Sequence, residues 1–189
     1  MTKVLAISGS LRSDSYNSKL LRNAAELFGD DVEVAILGGL KDVPPYDEDD
    51  DHDGAPEAVA ALRAAFAGAD AVFISTPEYN SSVPGHLKNA LDWVSRPLAT
   101  NPLRNKPAAV VGASTGAFGA VWAQAELRKV LAAIGARVVD GEVAVGHSPT
   151  RFDDVGTLVD ADLREQLGEV VDALASAVAE RHELARAAA

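Results

Sequence analysis

Three stretches of the 189-residue chain gather hydroxyls, amides, glycines and prolines densely enough to hold a polar ligand. The first, residues 8–18, carries Ser10, Arg12, Ser15, Asn17 and Ser18 just ahead of an apolar repeat of helical spacing. A helix start leaves N–H groups unpaired and presents the positive end of the helix dipole, so hydroxyls and a guanidinium gathered there suit a phosphate monoester. The pattern is neither G-x-G-x-x-G nor a Walker sequence, which argues against a dinucleotide or a nucleoside triphosphate. The competing account of the same residues is a turn closed by Ser15 or Asn17 as a helix cap. The second stretch, residues 76–85, is bounded by Pro77 and Pro84, which fix φ at both ends and stiffen the backbone between them. Within it Tyr79 offers an aromatic face and Asn80 both a donor and an acceptor, a combination suited to a planar ring with a polar edge. An ordinary proline-bounded loop is the plainer alternative. The third stretch, residues 112–119, holds Gly112, Gly116 and Gly119, which allow a tight turn and close approach of backbone to a ligand.

That third stretch also supports a hydrolytic reading. Gly112-Ala113-Ser114-Thr115-Gly116 matches G-x-S-x-G and sits between an expected strand and an expected helix, as a nucleophile elbow does. Asp140, Asp153 or Asp154 followed by His182 would complete the order Ser, Asp, His, and His147 could follow Asp140. The chain is short for a hydrolase with a cap, His182 falls near the C-terminus, and short matches in glycine-rich loops arise by chance, so ligand binding is the preferred reading. A metal reading can be checked residue by residue. Asp49, Asp51, Asp53 and Gly54 fall at positions 1, 3, 5 and 6 of a calcium loop, but position 12, where a bidentate Glu belongs, is Ala60, and Pro56 interrupts the run. A solvated acidic loop with no metal is expected. His52 and His86 lack ligand-like neighbours at i+3 or i+4 and are expected at the surface.

Composition narrows the chemistry further. Seventeen Lys and Arg against 28 Asp and Glu leave a net charge of −11, which repels phosphate backbones, so nucleic acid is not an expected partner. The absence of cysteine excludes disulfides, thiolate metal sites and Cys nucleophiles, so any redox chemistry must be carried by a bound cofactor. No apolar run approaches the roughly 18 residues of a membrane span, and a cytoplasmic protein is expected.

These loops need a frame, and the hydrophobic pattern supplies one. Short apolar runs at residues 4–7, 32–36, 71–74, 107–111 and 138–145 read as strands. They alternate with helical patterns at 17–28, 58–67, 87–94, 120–134 and 158–184, the last with an Ala-rich end expected to fray. Strands that alternate with helices make right-handed βαβ crossovers and a parallel sheet between two helical layers, and such sheets bind ligands outside the carboxyl ends of their strands. All three polar stretches fall there. With 48% hydrophobic residues and no linker, residues 1–189 are expected to form a single domain.

Taken together, Gly9-Ser10-Leu11-Arg12 with Ser15 and Asn17, Pro77-Glu78-Tyr79-Asn80 with Val83-Pro84-Gly85, Leu87-Lys88-Asn89-Ala90 with Asp92-Trp93, and the Ser114 loop resemble the NADPH-dependent FMN reductase family. That family includes bacterial quinone and chromate reductases and some azoreductases. The resemblance runs from about Val4 to the fifth strand. It implies a flavodoxin-like three-layer α/β sandwich, with a five-stranded parallel sheet in the order 2-1-3-4-5. It implies FMN, its phosphate held by Ser10, Arg12, Ser15, Asn17 and Ser18, its isoalloxazine contacted by Pro77, Glu78, Tyr79, Asn80 and Ser81, and the site closed by Ser114, Thr115 and Gly116. It further implies NADPH or NADH as electron donor, a small acceptor such as a flavin, quinone, chromate or azo compound reduced by ping-pong turnover, and a homodimer or homotetramer with flavin sites near the subunit boundary. No side chain is expected to be catalytic, since the flavin carries the chemistry. A flavodoxin-type carrier, reduced by a partner protein, is the alternative. Two departures bear on acceptor choice: His86, where relatives often carry a small residue, and the strongly acidic run from Asp47 to Asp53.

Overall fold

The computed structural model describes residues 1–52 and 55–188. The last two members of the calcium-loop pattern, Asp53 and Gly54, lie outside the described residues. In chain order the elements are β1 (Thr2–Ser8), α1 (Tyr16–Ala25), β2 (Val32–Ile36), α2 (Glu57–Ala67), β3 (Ala71–Thr76), α3 (Gly85–Val94), β4 (Pro107–Ala113), α4 (Val121–Ala133), β5 (Arg137–Val138), β6 (Ala144–Val145) and α5 (Ala161–Ala187). The sheet runs β2-β1-β3-β4-β5, every pair parallel, as expected of a flavodoxin-like fold.

Residues one apart on each strand face opposite layers, because side chains alternate across a pleated strand. Leu5, Ile7, Val72, Ile74, Ala108 and Val110 pack with residues of α2, α3 and α4 such as Phe66, Leu87, Trp93 and Leu127. Val4, Ala6, Phe73, Ala109 and Val111 pack instead with Leu20 and Leu21 of α1 and Leu167, Val171 and Leu174 of α5. From β1 the chain passes through α1 to β2 on one side, then through α2 to β3 on the other. The winding therefore reverses between β1 and β3, and a crevice opens at their carboxyl ends.

The expected fifth strand over 138–145 is instead two short strands. β5 pairs the start of β4 through Pro107↔Arg137 and Ala108↔Val138, and β6 pairs its end through Gly112↔Ala144 and Ala113↔Val145. Between them the chain bulges at Asp140–Glu142, with Gly141 at φ 113°. Arg128 of α4 explains the break. Its guanidinium donates to Val139 O at 2.8 Å, to Val110 O at 3.1 Å and to Gly141 O, taking carbonyls that an unbroken strand would have used. Burial pulls Arg128 below its ordinary value, opposed by Glu142 and Asp140. At the C-terminus α5 continues to Ala187, and His182 is not in a loose end: its Nε2 lies 3.2 Å from Asp70 Oδ1.

Candidate functional site

Gly9 N–H donates to Ser75 O at 2.8 Å, extending the β1–β3 ladder one residue past β1. A Cβ on Gly9 would stand 2.9 Å from Leu87 Cδ2 and 3.1 Å from Pro77 Cδ, so only glycine lets the first loop start flush against the second. The loop ends at Ser15, the buried N-cap of α1, whose Oγ accepts from Asn17 N–H and Ser18 N–H. A hydroxyl that accepts twice still has its own proton to donate. Tyr16 N–H, the first of the helix, has no partner among the described residues. These two donors, with Ser10 and the exposed Arg12, line one end of a cavity at the carboxyl edge.

Two of the expected phosphate ligands are also engaged within the protein. Asn17 borders the cavity, but its Nδ2 donates to Ala113 O at 3.0 Å and its Oδ1 accepts from Ser75 Oγ at 2.8 Å and Ala113 N–H at 3.0 Å. Three of its four hydrogen-bonding positions thus join α1 to the ends of β3 and β4. Ser18 Oγ turns back to Ser8 Oγ at 3.0 Å and is not among the residues bordering the cavity.

The second loop is fastened to α4 from both directions. The N-cap position of α4 is Ala120 (φ 65°), which has no side-chain acceptor, so the first-turn N–H groups need an outside partner. Glu78 supplies it: its Oε2 accepts from Trp122 N–H at 3.1 Å and Ala123 N–H at 3.2 Å. One turn on, Glu126 reaches back and accepts from Ser82 Oγ at 2.6 Å and Val83 N–H at 3.3 Å. The Ser82 hydroxyl, followed by the Val83 amide, holds the Glu126 carboxyl below the usual carboxylate range. Between these clamps Tyr79 and Ser82 exchange N–H···O bonds at 3.1 and 3.2 Å around Asn80 (φ 55°) and Ser81 (φ 60°). Positive φ at both central residues is what a type I′ turn requires, and for Ser81 it costs about 1 kcal/mol. The tip therefore carries Asn80 and Ser81 outward, away from the cavity wall, while Pro77, Glu78 and Tyr79 line it.

On the third side stand Ser114 and Thr115. Ser114 Oγ accepts from Gly116 N–H at 3.1 Å, and Ser114 O accepts from Ser148 Oγ at 2.7 Å. Gly116 contributes this backbone bond and does not border the cavity. The hydrolase arrangement does not form. His182 pairs with Asp70, just ahead of β3 at the amino edge, whereas Ser114 follows β4 at the carboxyl edge. Asp153 is engaged by the N–H groups of Val155 and Thr157, and Asp140 lies in the bulge between β5 and β6. His147 is exposed and meets the loop through its backbone, donating to Gly116 O. No imidazole reaches Ser114 Oγ among the described residues, and α4 begins only at Val121, not directly after the serine.

The remaining motif residues shore up the surroundings. Asn89 Nδ2 and Trp93 Nε1 both donate to Pro44 O at 2.8 Å, fixing the chain ahead of the acidic run. Asp51 pairs with Arg63 at 2.8 Å, and the described residues contain no cluster placed to hold a metal. His86, expected at the surface, is half-buried with Nε2 2.8 Å from Gly9 O. Sequence reasoning missed Glu126 and misassigned His86 because both act across loops far apart in the chain. Beside the Glu78 clamp the exposed rings of Phe118 and Trp122 meet edge to face, centroids 5.0 Å apart. A larger cavity of about 320 Å³ lies at the amino edge, where three carboxylates, Asp31, Asp172 and Glu183, outnumber Arg186 and disfavour an anion. The carboxyl-edge cavity thus unites unspent donors at a helix start with a stiff, partly aromatic wall. That donor set fits a phosphorylated planar ring, with Ser15 supplying a buried hydroxyl proton.

The comparisons with known proteins agree. The family model described as NADPH-dependent FMN reductase matches residues 2–150. The chain is 43% identical over 175 residues to an NAD(P)H-dependent FMN reductase of Pseudomonas aeruginosa, covering 91% of this chain and 92% of that protein. It is 40% identical over 182 residues to a 2-hydroxy-1,4-benzoquinone reductase of a Burkholderia species, covering 95% and 97%. Among solved structures it resembles FerB, a flavoenzyme NAD(P)H:(acceptor) oxidoreductase of Paracoccus denitrificans, with a TM-score of 0.83 and 35% identity over 95% of this chain and 98% of that one. On the family match and these identities, the chain belongs to the NADPH-dependent FMN reductase family.

Proposed function

We propose that the chain passes electrons from NAD(P)H through FMN, held in the carboxyl-edge cradle, to a small acceptor, with donor and acceptor using one open face in turn. FMN when bound supplies the hydride and electron transfer chemistry. The protein's part is binding and orientation. Arg12, Ser10, the Ser15 hydroxyl and Tyr16 N–H are assigned to the phosphate, and Asn17 and Ser18 to holding those donors in place. Pro77, Glu78 and Tyr79, with Ser114 and Thr115 opposite, are assigned to the ring, with Asn80, Ser81 and Gly116 shaping the two loops. No side chain is assigned a proton-transfer role.

The single observation that carries the reading is the start of α1. Ser15 is only 3% exposed, yet its hydroxyl proton and Tyr16 N–H have no partner among the described residues, and the cavity lies beside them. A buried donor left unpaired costs roughly 1–3 kcal/mol, which an anion at that place would relieve. We also take residues 1–189 as one domain, supported by two cores that share one sheet, and expect a homodimer or homotetramer, supported by the exposed aromatic rings of Tyr79, Phe118 and Trp122. No described helix is long and apolar enough to cross a membrane, in keeping with the cytoplasmic location we propose. The test is titration of the purified protein with FMN followed by assay with NAD(P)H and a quinone, flavin or ferricyanide. Tight binding with parallel-line initial-rate plots is expected. Binding without steady-state NAD(P)H oxidation would make it a carrier, and failure to bind FMN would end both readings.

A further inference from the structure

We propose that His86 is a positioning residue for the phosphate end of the site, linking the loop after β1 to the helix after β3. The proposal rests on the reading that the FMN phosphate sits at the start of α1. His86 is the second residue of α3, half-buried, with Nε2 2.8 Å from Gly9 O. A carbonyl can only accept, so the imidazole donates and Nε2 carries its proton. Gly9 N–H is already bound to Ser75 O at 2.8 Å. Both polar atoms of Gly9 are therefore held, one by β3 and the other by α3, and its missing side chain is what permits the contact with Leu87 and Pro77.

The consequence reaches the ligand through the peptide bond. Because the peptide unit is planar, fixing the Gly9 carbonyl also fixes the direction of Ser10 N–H on the opposite side. That N–H has only a long contact, 3.3 Å, to Ser8 Oγ. The stretch from Leu11 to Asp14 is exposed, and its one backbone hydrogen bond among the described residues is Arg12 N–H to Ser10 Oγ at 3.4 Å. The loop that carries Ser10 and Arg12 is thus anchored at its far end by the Ser15 cap and the Asp14–Lys19 ion pair, 2.7 Å, and at its near end by Gly9, whose carbonyl is held by His86, with only the long Ser8 Oγ contacts between. Without His86 the Gly9–Ser10 peptide can rotate, and the donors offered to a phosphate are no longer set before it arrives.

Fluorescence titration with FMN and with riboflavin, which lacks the phosphate, tests this in wild type, His86→Ala, His86→Gln and His86→Asn. The Gln amide nitrogen lies about where the imidazole Nε2 lies, whereas the Asn amide falls one methylene short. His86→Ala and His86→Asn are expected to weaken FMN roughly five- to tenfold, the worth of one positioned hydrogen bond, and to leave riboflavin within about twofold. His86→Gln is expected to restore most of the FMN affinity. Equal loss of FMN and riboflavin, unchanged FMN affinity in His86→Ala, or Asn rescuing as well as Gln would each overturn the role of His86. Wild-type protein that binds riboflavin as tightly as FMN would overturn the phosphate cradle itself, and the role of His86 with it.

Discussion

Replacing Asn17 with alanine separates a framework role from a ligand role. The side chain is 3% exposed and ties three groups, Ala113 N–H, Ala113 O and Ser75 Oγ, all in residues no more than 2% exposed. Alanine strands all three. An unpaired buried polar group costs roughly 1–3 kcal/mol; the Ser75 hydroxyl can rotate to another partner and water can reach part of the gap, so a total of about 3 kcal/mol is expected. Against a net stability of about 5–15 kcal/mol this is a large fraction, and for a chain of this length it corresponds to a fall in Tm of roughly 6–12 °C. Urea denaturation of the FMN-free protein measures it, with the midpoint dropping at unchanged slope. FMN and riboflavin should weaken together, because the lost bonds set the spacing of all three loops. A variant with wild-type stability that binds FMN poorly and riboflavin normally would refute the argument, since Asn17 would then act on the phosphate and not on the frame.

Three further outcomes follow from other parts of the molecule. Arg12→Ala should weaken FMN by roughly 10- to 100-fold while sparing riboflavin, and the gap from wild type should shrink as salt is raised, because the lost contact is charge-assisted. Glu126 has its folded value depressed, so its hold on Ser82 and Val83 is present above the ordinary carboxylate value of 4.5 and is lost as pH falls through the lower folded value. Amide exchange at Val83 should therefore speed up at acid pH, intrinsic rates allowed for, and Glu126→Gln should flatten that dependence. Lys106 is 3% exposed, donates to Phe66 O at 2.6 Å and to Ala69 O, and is pushed down by burial from 10.5 to about 8. Between those values the unfolded chain holds the proton and the folded one does not, so this residue's contribution to stability rises with pH across that window, by about 1–3 kcal/mol. Urea midpoints compared with Lys106→Met from pH 7.5 to 10.5 would show it, and parallel curves for the two proteins would refute it.

What a local pattern can encode was legible in the chain. Buried runs such as 4–7 and 71–74 read as strands of a parallel sheet because nothing but apolar side chains tolerates helices on both faces. The placing of three polar loops at the carboxyl edge then followed from connectivity. What was not legible shares one cause. Asn17 borders the cavity but also ties Ala113, 96 positions away, and Glu78, which lines the same cavity, also caps a helix 44 positions on. His86 looked like surface, but it meets a carbonyl 77 positions back. The break at Asp140–Glu142 is likewise set by Arg128 reaching from α4.

Residue type and spacing therefore determined the α/β class, the edge where a ligand belongs and the stock of donors near a helix start, and the family resemblance added the strand order. Which of those donors stay unspent was decided only in three dimensions. A polar side chain serves the frame or the ligand according to what the folded chain brings within hydrogen-bonding distance, about 3 Å, and no spacing along the sequence records that.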